Sequence, residues 1–513
     1  MKAPNILILM ADQLAPHFTS TYGHQVVKTP NMDRLAERGC RFDAAYTPYP
    51  QCAPARFSLL SGQQSWSIRA YDNAAEFSSS IPTVCHYLGR MGYHTTLSGK
   101  MHFVGPDQLH GFTERLTTDI YPVDYAWTPN WEVADLRDDT WYHNMDSVHE
   151  AGVADMTFQL EFDDETAYQG IRKIWEYARN PGTQPFMLVA SFTHPHDPYV
   201  ARRKWWDLYS QDSIDMPQFD INSVPQDPHS QRLLVGMQAD VSPPSELSIL
   251  NSRRAYYANT SYIDDWVGQF IDTLEQTRML DNTIVIVTAD HGDMLGERGL
   301  WYKMCFFEQS VRVPLIVAGP DIQQASIPNA CSTLDLMPTL LELASGGTDR
   351  TADLDDSIDG RSLHKLLTRD GADDESFAVS EYSAECASHP MVMIRRDQYK
   401  YVQCEIDPPQ LFDLELDPNE LNNLAQSPSH QEIADSFRDE VLACWDLGQI
   451  RSEIMANQRA RILIHESMKK NPKLSWDYQP YQDASQAYVR THKTWIDMAT
   501  NSRFPRFNDK SSN

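Results

Sequence analysis

Runs made mostly of apolar residues recur along the first two thirds of the chain: Ile6-Leu7-Ile8-Leu9-Met10, Phe186–Phe192, Thr283–Ala289 and Val313–Pro320. Each is short, and none alternates with polar residues as a strand with one wet face would. Each therefore reads as a strand buried on both sides. Thr95–Ser98 is a weaker run of the same kind. Helical patterns lie between them. Thr29-Pro30-Asn31 offers a capping threonine and a first-turn proline, Thr83–Met91 is helix-like, and Arg253–Leu280 has apolar residues at helical spacing. Strands alternating with helices predict an α/β fold on a largely parallel sheet.

Polar residues gather where the strands end: Asp12-Gln13, Gly99-Lys100-Met101-His102, Thr193-His194-Pro195-His196-Asp197 and Asp290-His291-Gly292-Asp293. Ligands of open α/β sheets sit beyond the carboxyl ends of strands. Asp12 alone would serve equally as a turn carboxylate, but with Asp290 and His291 it makes a credible metal site. Alternation along an extended segment predicts that Lys100 and His102 point to one side.

Residues 113–165 interleave acids with Tyr121, Tyr125, Trp127, Trp131, Trp141, Tyr142 and His143, and read as a long insertion with little regular structure. Such aromatics beside carboxylates suit a quaternary ammonium group, although any single one more commonly packs a loop onto the core. Residues 200–250, rich in Pro, Asp, Ser and Gln, read as a surface excursion. The chain is expected to divide into a large domain at 1–375, a small-sheet unit at 376–450 and an extension at 451–513. The small unit holds a hairpin of Met391–Arg395 with Tyr399–Gln403 and a helix over Gln431–Cys444. The extension is basic and aromatic, with Trp476, Tyr478, Tyr481, Tyr488 and Trp495, and is expected to dock on a neighbouring subunit of a homo-oligomeric dimer or tetramer.

A net charge of −28 argues against nucleic acid and anionic membranes as partners. No apolar run has the length of a membrane span, and Ile6–Met10 is too short for a signal-peptide core. Eight scattered cysteines suggest neither a disulfide framework nor a zinc site, so the cytoplasm is the expected location.

Cys52-Ala53-Pro54-Ala55-Arg56 leads into Phe57-Ser58-Leu59-Leu60-Ser61-Gly62, which is expected to open a helix behind the cysteine. A lone buried cysteine is usually just a small hydrophobe. This frame, however, resembles the signature by which type I sulfatases have their nucleophilic cysteine oxidised to formylglycine. The family's partners follow in order: Thr29–Leu35, Gly99-Lys100-Met101-His102, a histidine segment before proline, Asp290-His291, Lys303 and Gln410–Glu420. The resemblance implies an alkaline-phosphatase-like fold: a large mixed, mostly parallel sheet between helices, with a smaller C-terminal α+β subdomain and an arm. It implies that Asp12, Asp290, His291 and the modified Cys52 hold a divalent metal. Arg56 would support the nucleophile, Lys100 and Lys303 would clamp sulfate, and His102 and His196 (or His194 in its place) would be the acid/base candidates. Formylglycine hydrates to a diol, one hydroxyl attacks sulfur, and the second lets sulfate depart.

Two positions depart from the commonest pattern of the family: Gln13 stands where a second Asp is usual, and His291 where Asn is usual. Gln13 would keep only a carbonyl oxygen for coordination. Calcium favours oxygen shells, while the imidazole opens manganese. Both departures are shared by the branch of choline sulfatases and phosphonate monoester hydrolases. Ser98–Pro106, Asp119–Pro122, Trp127–Pro129 and Met391–Arg396 most resemble choline sulfatases. That resemblance implies hydrolysis of choline-O-sulfate, with Trp127, His143 and Glu381 or Glu385 around the trimethylammonium group. It also implies a formylglycine-generating or equivalent maturation enzyme. The rivals are a phosphonate monoester or phosphodiester hydrolase, and a silent scaffold in which Cys52 stays a thiol.

Overall fold

The computed structural model describes residues 3–133, 143–180, 182, 184–354, 357–368, 376–470, 476–481 and 493–504. Trp141, Tyr142 and Tyr488 lie outside the described residues. Eight strands form one sheet in the order Ala325–Ser332, Cys40–Tyr46, Leu315–Ala318, Thr283–Ala289, Asn5–Asp12, Phe186–Pro195, His94–Gly99 and Glu114–Arg115. Asn5–Asp12 pairs in parallel with a strand on either side, from Asn5 opposite Thr283 and from Ile6 opposite Met187. Among the described strands of this sheet, Leu315–Ala318 alone runs antiparallel to its neighbours. Every residue of Asn5–Asp12 and Thr283–Ala289 is buried, as continuous apolar runs require. Parallel pairing brings Asp12, Lys100, the His194 region and Asp290 to one edge of the sheet.

Local rules hold with shifts that have physical causes. Thr29 does not cap the helix Pro30–Ala36, because its hydroxyl bonds Ser20. The Asp264 carboxylate instead accepts the amides of Asn31 and Met32 at 3.0 and 2.8 Å. The insertion ends earlier than expected, since Thr157 caps a 22-residue helix, Phe158–Arg179. Likewise Ser245 starts the long helix at Glu246–Gln276 rather than at Arg253. The strand His94–Gly99 stops at a glycine with φ +99°, where a Cβ would lie 2.0 Å from the Ser191 carbonyl oxygen. Only glycine fits there, and the turn it permits delivers Lys100.

The second unit is a four-stranded antiparallel sheet, Phe377–Tyr382, Met391–Arg396, Tyr399–Cys404 and Gln410–Asp413, with the helix Gln431–Cys444 packed on it. The helix Leu447–Lys469 runs through the expected boundary at 450 and packs on its own chain, with Ile454 buried beside Val392 and Ile394. A buried polar node ties the two units together. The Lys400 ammonium donates to Glu308 at 2.9 Å, to the Phe306 carbonyl at 2.8 Å, and also pairs with Glu420. Burial alone would raise Glu308, but Lys400 and Arg312 outweigh it and bring its pKa down to about 2. Lys400→Met would leave two buried carboxylates facing each other. It is expected to destabilise the fold by about 3–5 kcal/mol, read from the denaturant midpoint.

Candidate active site

The helix Cys52–Ser61 begins at the cysteine and is buried along its whole length. Cys52 thus sits at a helix N-terminus, among free amides and the positive dipole end. Asn73 Oδ1 accepts the Ala53 amide at 2.9 Å. The Cys52 Sγ lies 3.2 Å from His291 Nε2 and 3.7 Å from Asp12 Oδ1. Burial, then Asp12, pushes the thiol up to about 12.

Ligand atoms of Asp12, Cys52, Asp290 and His291 all lie within 4.8 Å of one another. His291 Nδ1 faces the Gly292 carbonyl at 3.0 Å, so the proton resides there and the Nε2 lone pair points inward. Nε2 stands 3.8 Å from both Asp12 Oδ1 and Asp290 Oδ1. Burial lowers His291 to about 4, so the imidazole is neutral and competent to ligate. Two carboxylates and an imidazole lone pair converging in this way repel one another without a cation between them. The donor set fits a divalent ion.

Cations surround this cluster. Arg56, fully buried, donates from Nε to Asp290 Oδ2 at 2.8 Å and from Nη1 to Ser191 Oγ and the Lys100 carbonyl at 2.7 and 2.8 Å. Lys100 Nζ pairs with Asp12 Oδ2 and lies 4.1 Å from the Tyr121 ring centre. Burial would raise Asp12, but Lys100 and Arg56, followed by His291 and Lys303, hold its carboxyl well below the usual range.

Lys303 is presented between two residues in the left-handed region, Tyr302 at φ +64° and Met304 at +73°. Its ammonium has three acceptors: Gln13 Oε1 at 2.6 Å, His196 Nε2 at 2.8 Å and His143 Nε2 at 3.4 Å. The His196 proton must then sit on Nδ1, which faces the Asp197 carbonyl at 2.7 Å. Burial, with Lys303 next, lowers both histidines well below the ordinary value.

Tyr121, Trp127, His143, Tyr302, Asp197 and Glu385 line a cavity of about 240 Å³ that reaches Cys52. His102 packs behind it, 5.2 Å from the Tyr121 ring and 5.8 Å from Trp127. Neither ring nitrogen of His102 has a hydrogen-bond partner, and burial lowers its pKa to about 3. Burial pushes Glu385 up to about 7.

Four expectations need correction. Glu381 is absent from the cavity lining. Its carboxylate accepts the Trp66 amide of the first unit at 2.8 Å and Trp445 Nε1 of the second at 3.1 Å, because its strand pairing directs it there. Gln13 does not join the metal cluster: its carbonyl is taken by Lys303 and its amide donates to Asp293 at 2.7 Å. Lys100 and His102 are not alternate residues of a strand, since the strand has ended and His102 has φ +59°. His194, the alternative to His196, is buried on Asp163, with Nδ1 to Oδ2 at 2.6 Å. The sequence reading missed Asp197, Asn73 and Tyr302. Asp197 and Tyr302 directly neighbour His196 and Lys303 in the chain, which was the available signal; Asn73 had none.

The sulfatase family profile matches residues 4–347. A profile for the C-terminal part of N-sulphoglucosamine sulphohydrolase matches 296–445, and one for the choline sulfatase C terminus matches 452–504. The chain is 46% identical to a choline-sulfatase from Rhizobium meliloti over 512 residues, 98% of this chain and 99% of that protein. It is 26% identical to an arylsulfatase of Clostridium perfringens, over 85% of this chain and 93% of that one. In fold it resembles the crystal structure of a phosphonate monoester hydrolase from Agrobacterium radiobacter, with a TM-score of 0.67 and 22% identity over 88% of this chain and 96% of that one.

Proposed function

The chain belongs to the sulfatase family, and on that footing we propose that it hydrolyses choline-O-sulfate to choline and inorganic sulfate. The observation that carries this reading is the cavity, which sets aromatic faces and two carboxylates, Asp197 and Glu385, directly beside Cys52 and its ring of cations. A trimethylammonium head finds π faces and negative charge in one half. A sulfate ester held at Cys52 meets the charge of Lys100, Arg56 and Lys303, which are buried just behind the lining.

In this reading a divalent ion, calcium first and manganese as the alternative, rests on Asp12, Asp290, His291 and residue 52. Bound there, the ion would act as a Lewis acid, and formylglycine made from Cys52 would supply the nucleophilic oxygen. The protein's own residues do the rest. Arg56 holds Asp290 and the turn at Lys100 in register. Lys100 and Lys303 meet the charge on the transferring sulfonate group. A choline alkoxide is a poor leaving group and needs a proton. Burial opposes the Lys303 charge, but Cys52 and the nearby carboxylates of Asp197, Asp12 and Asp290 favour it and raise its pKa. Lys303 stays charged beside Cys52 and serves as the proton source, while neutral His102 packs behind the wall against Tyr121 and Trp127 and supports it. His196, with its proton committed to Asp197, orients Lys303.

Cys52 is 1% exposed, so its maturation enzyme must act before this edge of the sheet closes. A cytoplasmic location belongs to the same reading; no described helix is long and apolar enough to cross a membrane. A homo-oligomer joined through the last residues also belongs to it, supported by the exposed Trp495 and Ile496.

The direct test is sulfate release from choline-O-sulfate beside an aryl phosphonate, on protein whose Cys52 peptide has the formylglycine mass. Faster turnover of the phosphonate would defeat the choline reading. A pH test follows from Glu385. Its raised pKa means that the carboxylate needed by the cationic head forms only as pH climbs through about 7. kcat/KM for choline-O-sulfate is expected to rise across that range, and Glu385→Gln to flatten the limb and lower kcat/KM by about tenfold or more.

A further inference from the structure

The helix Leu447–Lys469 supplies no group to the proposed chemistry, yet one of its turns bonds residues that adjoin two parts of the cavity lining. Gln458 and Arg461 lie three residues apart and share a face of the helix; they are 2% and 3% exposed. The helix is seated independently of them, by Leu447 and Ile454 in the apolar core of the second unit.

Arg461 grips the Asp72 carboxylate with both terminal nitrogens at 2.6 Å. The same carboxylate accepts the Ala74 amide at 2.9 Å, closing a turn around Asn73. Asn73 lines the cavity and accepts the Ala53 amide, the first one after the nucleophile. Side chain by side chain, Arg461 thus reaches the N-terminus that presents Cys52. Gln458 serves the opposite wall. Its Oε1 accepts the Trp131 amide at 3.0 Å, and Trp131 Nε1 donates to the Ala384 carbonyl at 3.3 Å, next to Glu385. Four residues before Trp131, on the same loop, stands Trp127.

We infer that Gln458 and Arg461 are positioning residues with divided duties: Gln458 sets the wall that receives the cationic head, and Arg461 sets the nucleophile through Asp72 and Asn73. The Gln458 half rests on the choline reading; the Arg461 half does not. Displacement of a reacting group by a fraction of an ångström is costly in rate, whereas a loosened binding wall costs affinity.

The test uses full-length, formylglycine-bearing protein and two substrates, choline-O-sulfate and 4-nitrophenyl sulfate. Gln458→Ala is expected to raise KM for choline-O-sulfate by about threefold to tenfold, more than for the aryl ester, with kcat little changed. Arg461→Gln is expected to lower kcat on both esters by roughly tenfold or more, with KM little changed. Asp72→Asn should reproduce Arg461→Gln, the double variant should be no worse than either single one, and Arg461→Lys should recover part of the rate. Equal losses in kcat and KM on both esters, tracking the loss of thermal stability, would reduce the helix to scaffolding and overturn the inference. Should wild type prefer the aryl ester, the choline reading falls with the Gln458 half, while the Arg461 half is still decided by kcat on that ester.

Discussion

Sulfate release should fall by roughly 10⁴-fold or more in Cys52→Ala and in Cys52→Ser, with the fold retained in both. The two variants separate the roles of residue 52. Alanine removes the nucleophile. Serine offers one hydroxyl at the same helix N-terminus, among the same cations, so it can take a sulfonate group once but has no second hydroxyl with which to expel it. Mass spectrometry of the serine variant after incubation with substrate should show one added sulfonate per chain. Sustained turnover by Cys52→Ser would remove the reason for a formylglycine. Turnover by protein whose Cys52 is still a thiol would be just as damaging, because a buried thiol held near pKa 12 is almost wholly protonated at neutral pH.

Arg56 carries the next largest effect. Its guanidinium makes three hydrogen bonds in different directions and lies 3.5 Å from Asp12, all without exposed surface. Lysine cannot span that fork. Arg56→Lys is expected to lower kcat by about 10²–10³-fold. Arg56→Ala leaves Asp290 without its charged partner and should cost about 3–5 kcal/mol of stability. The sign of a second readout is also fixed. With Arg56 gone, a divalent ion is left with more of the burden of balancing Asp12 and Asp290. Added calcium or manganese should therefore raise the melting midpoint of Arg56→Ala more than that of wild type. An equal or smaller rise would mean that the ion does not sit among these carboxylates.

The chemistry at the strand ends was legible because parallel pairing turns sequence order into spatial convergence. Asp12 ends a buried run, Asp290 follows one, and Lys100 follows another across the turn at Gly99, so the sheet gathers all three. The cavity wall was less legible. Glu381 and Glu385 are equally acidic in the sequence, and only the pairing of Phe377–Tyr382 with Met391–Arg396 decides which one faces the cavity. The fate of Gln13 was hidden for another reason. An amide has two ends, and Lys303, 290 positions away, claims the oxygen that local reasoning had assigned to a metal. Arg461 was invisible altogether, since a basic residue on an extension reads as solvated until its partner, Asp72, is seen to be buried.

Every residue of the helix Cys52–Ser61 is buried, and this limits how the element can evolve. A change anywhere along it disturbs the core and the charge cluster together, so the element that performs the reaction is closed to gradual exploration. Much of the cavity lining comes from other segments, among them Tyr121–Trp127, His143–Ser147 and the one that carries Glu385. Descendants of such a chain can drift toward new esters by rewriting those segments one at a time, while inheriting the reaction itself unchanged.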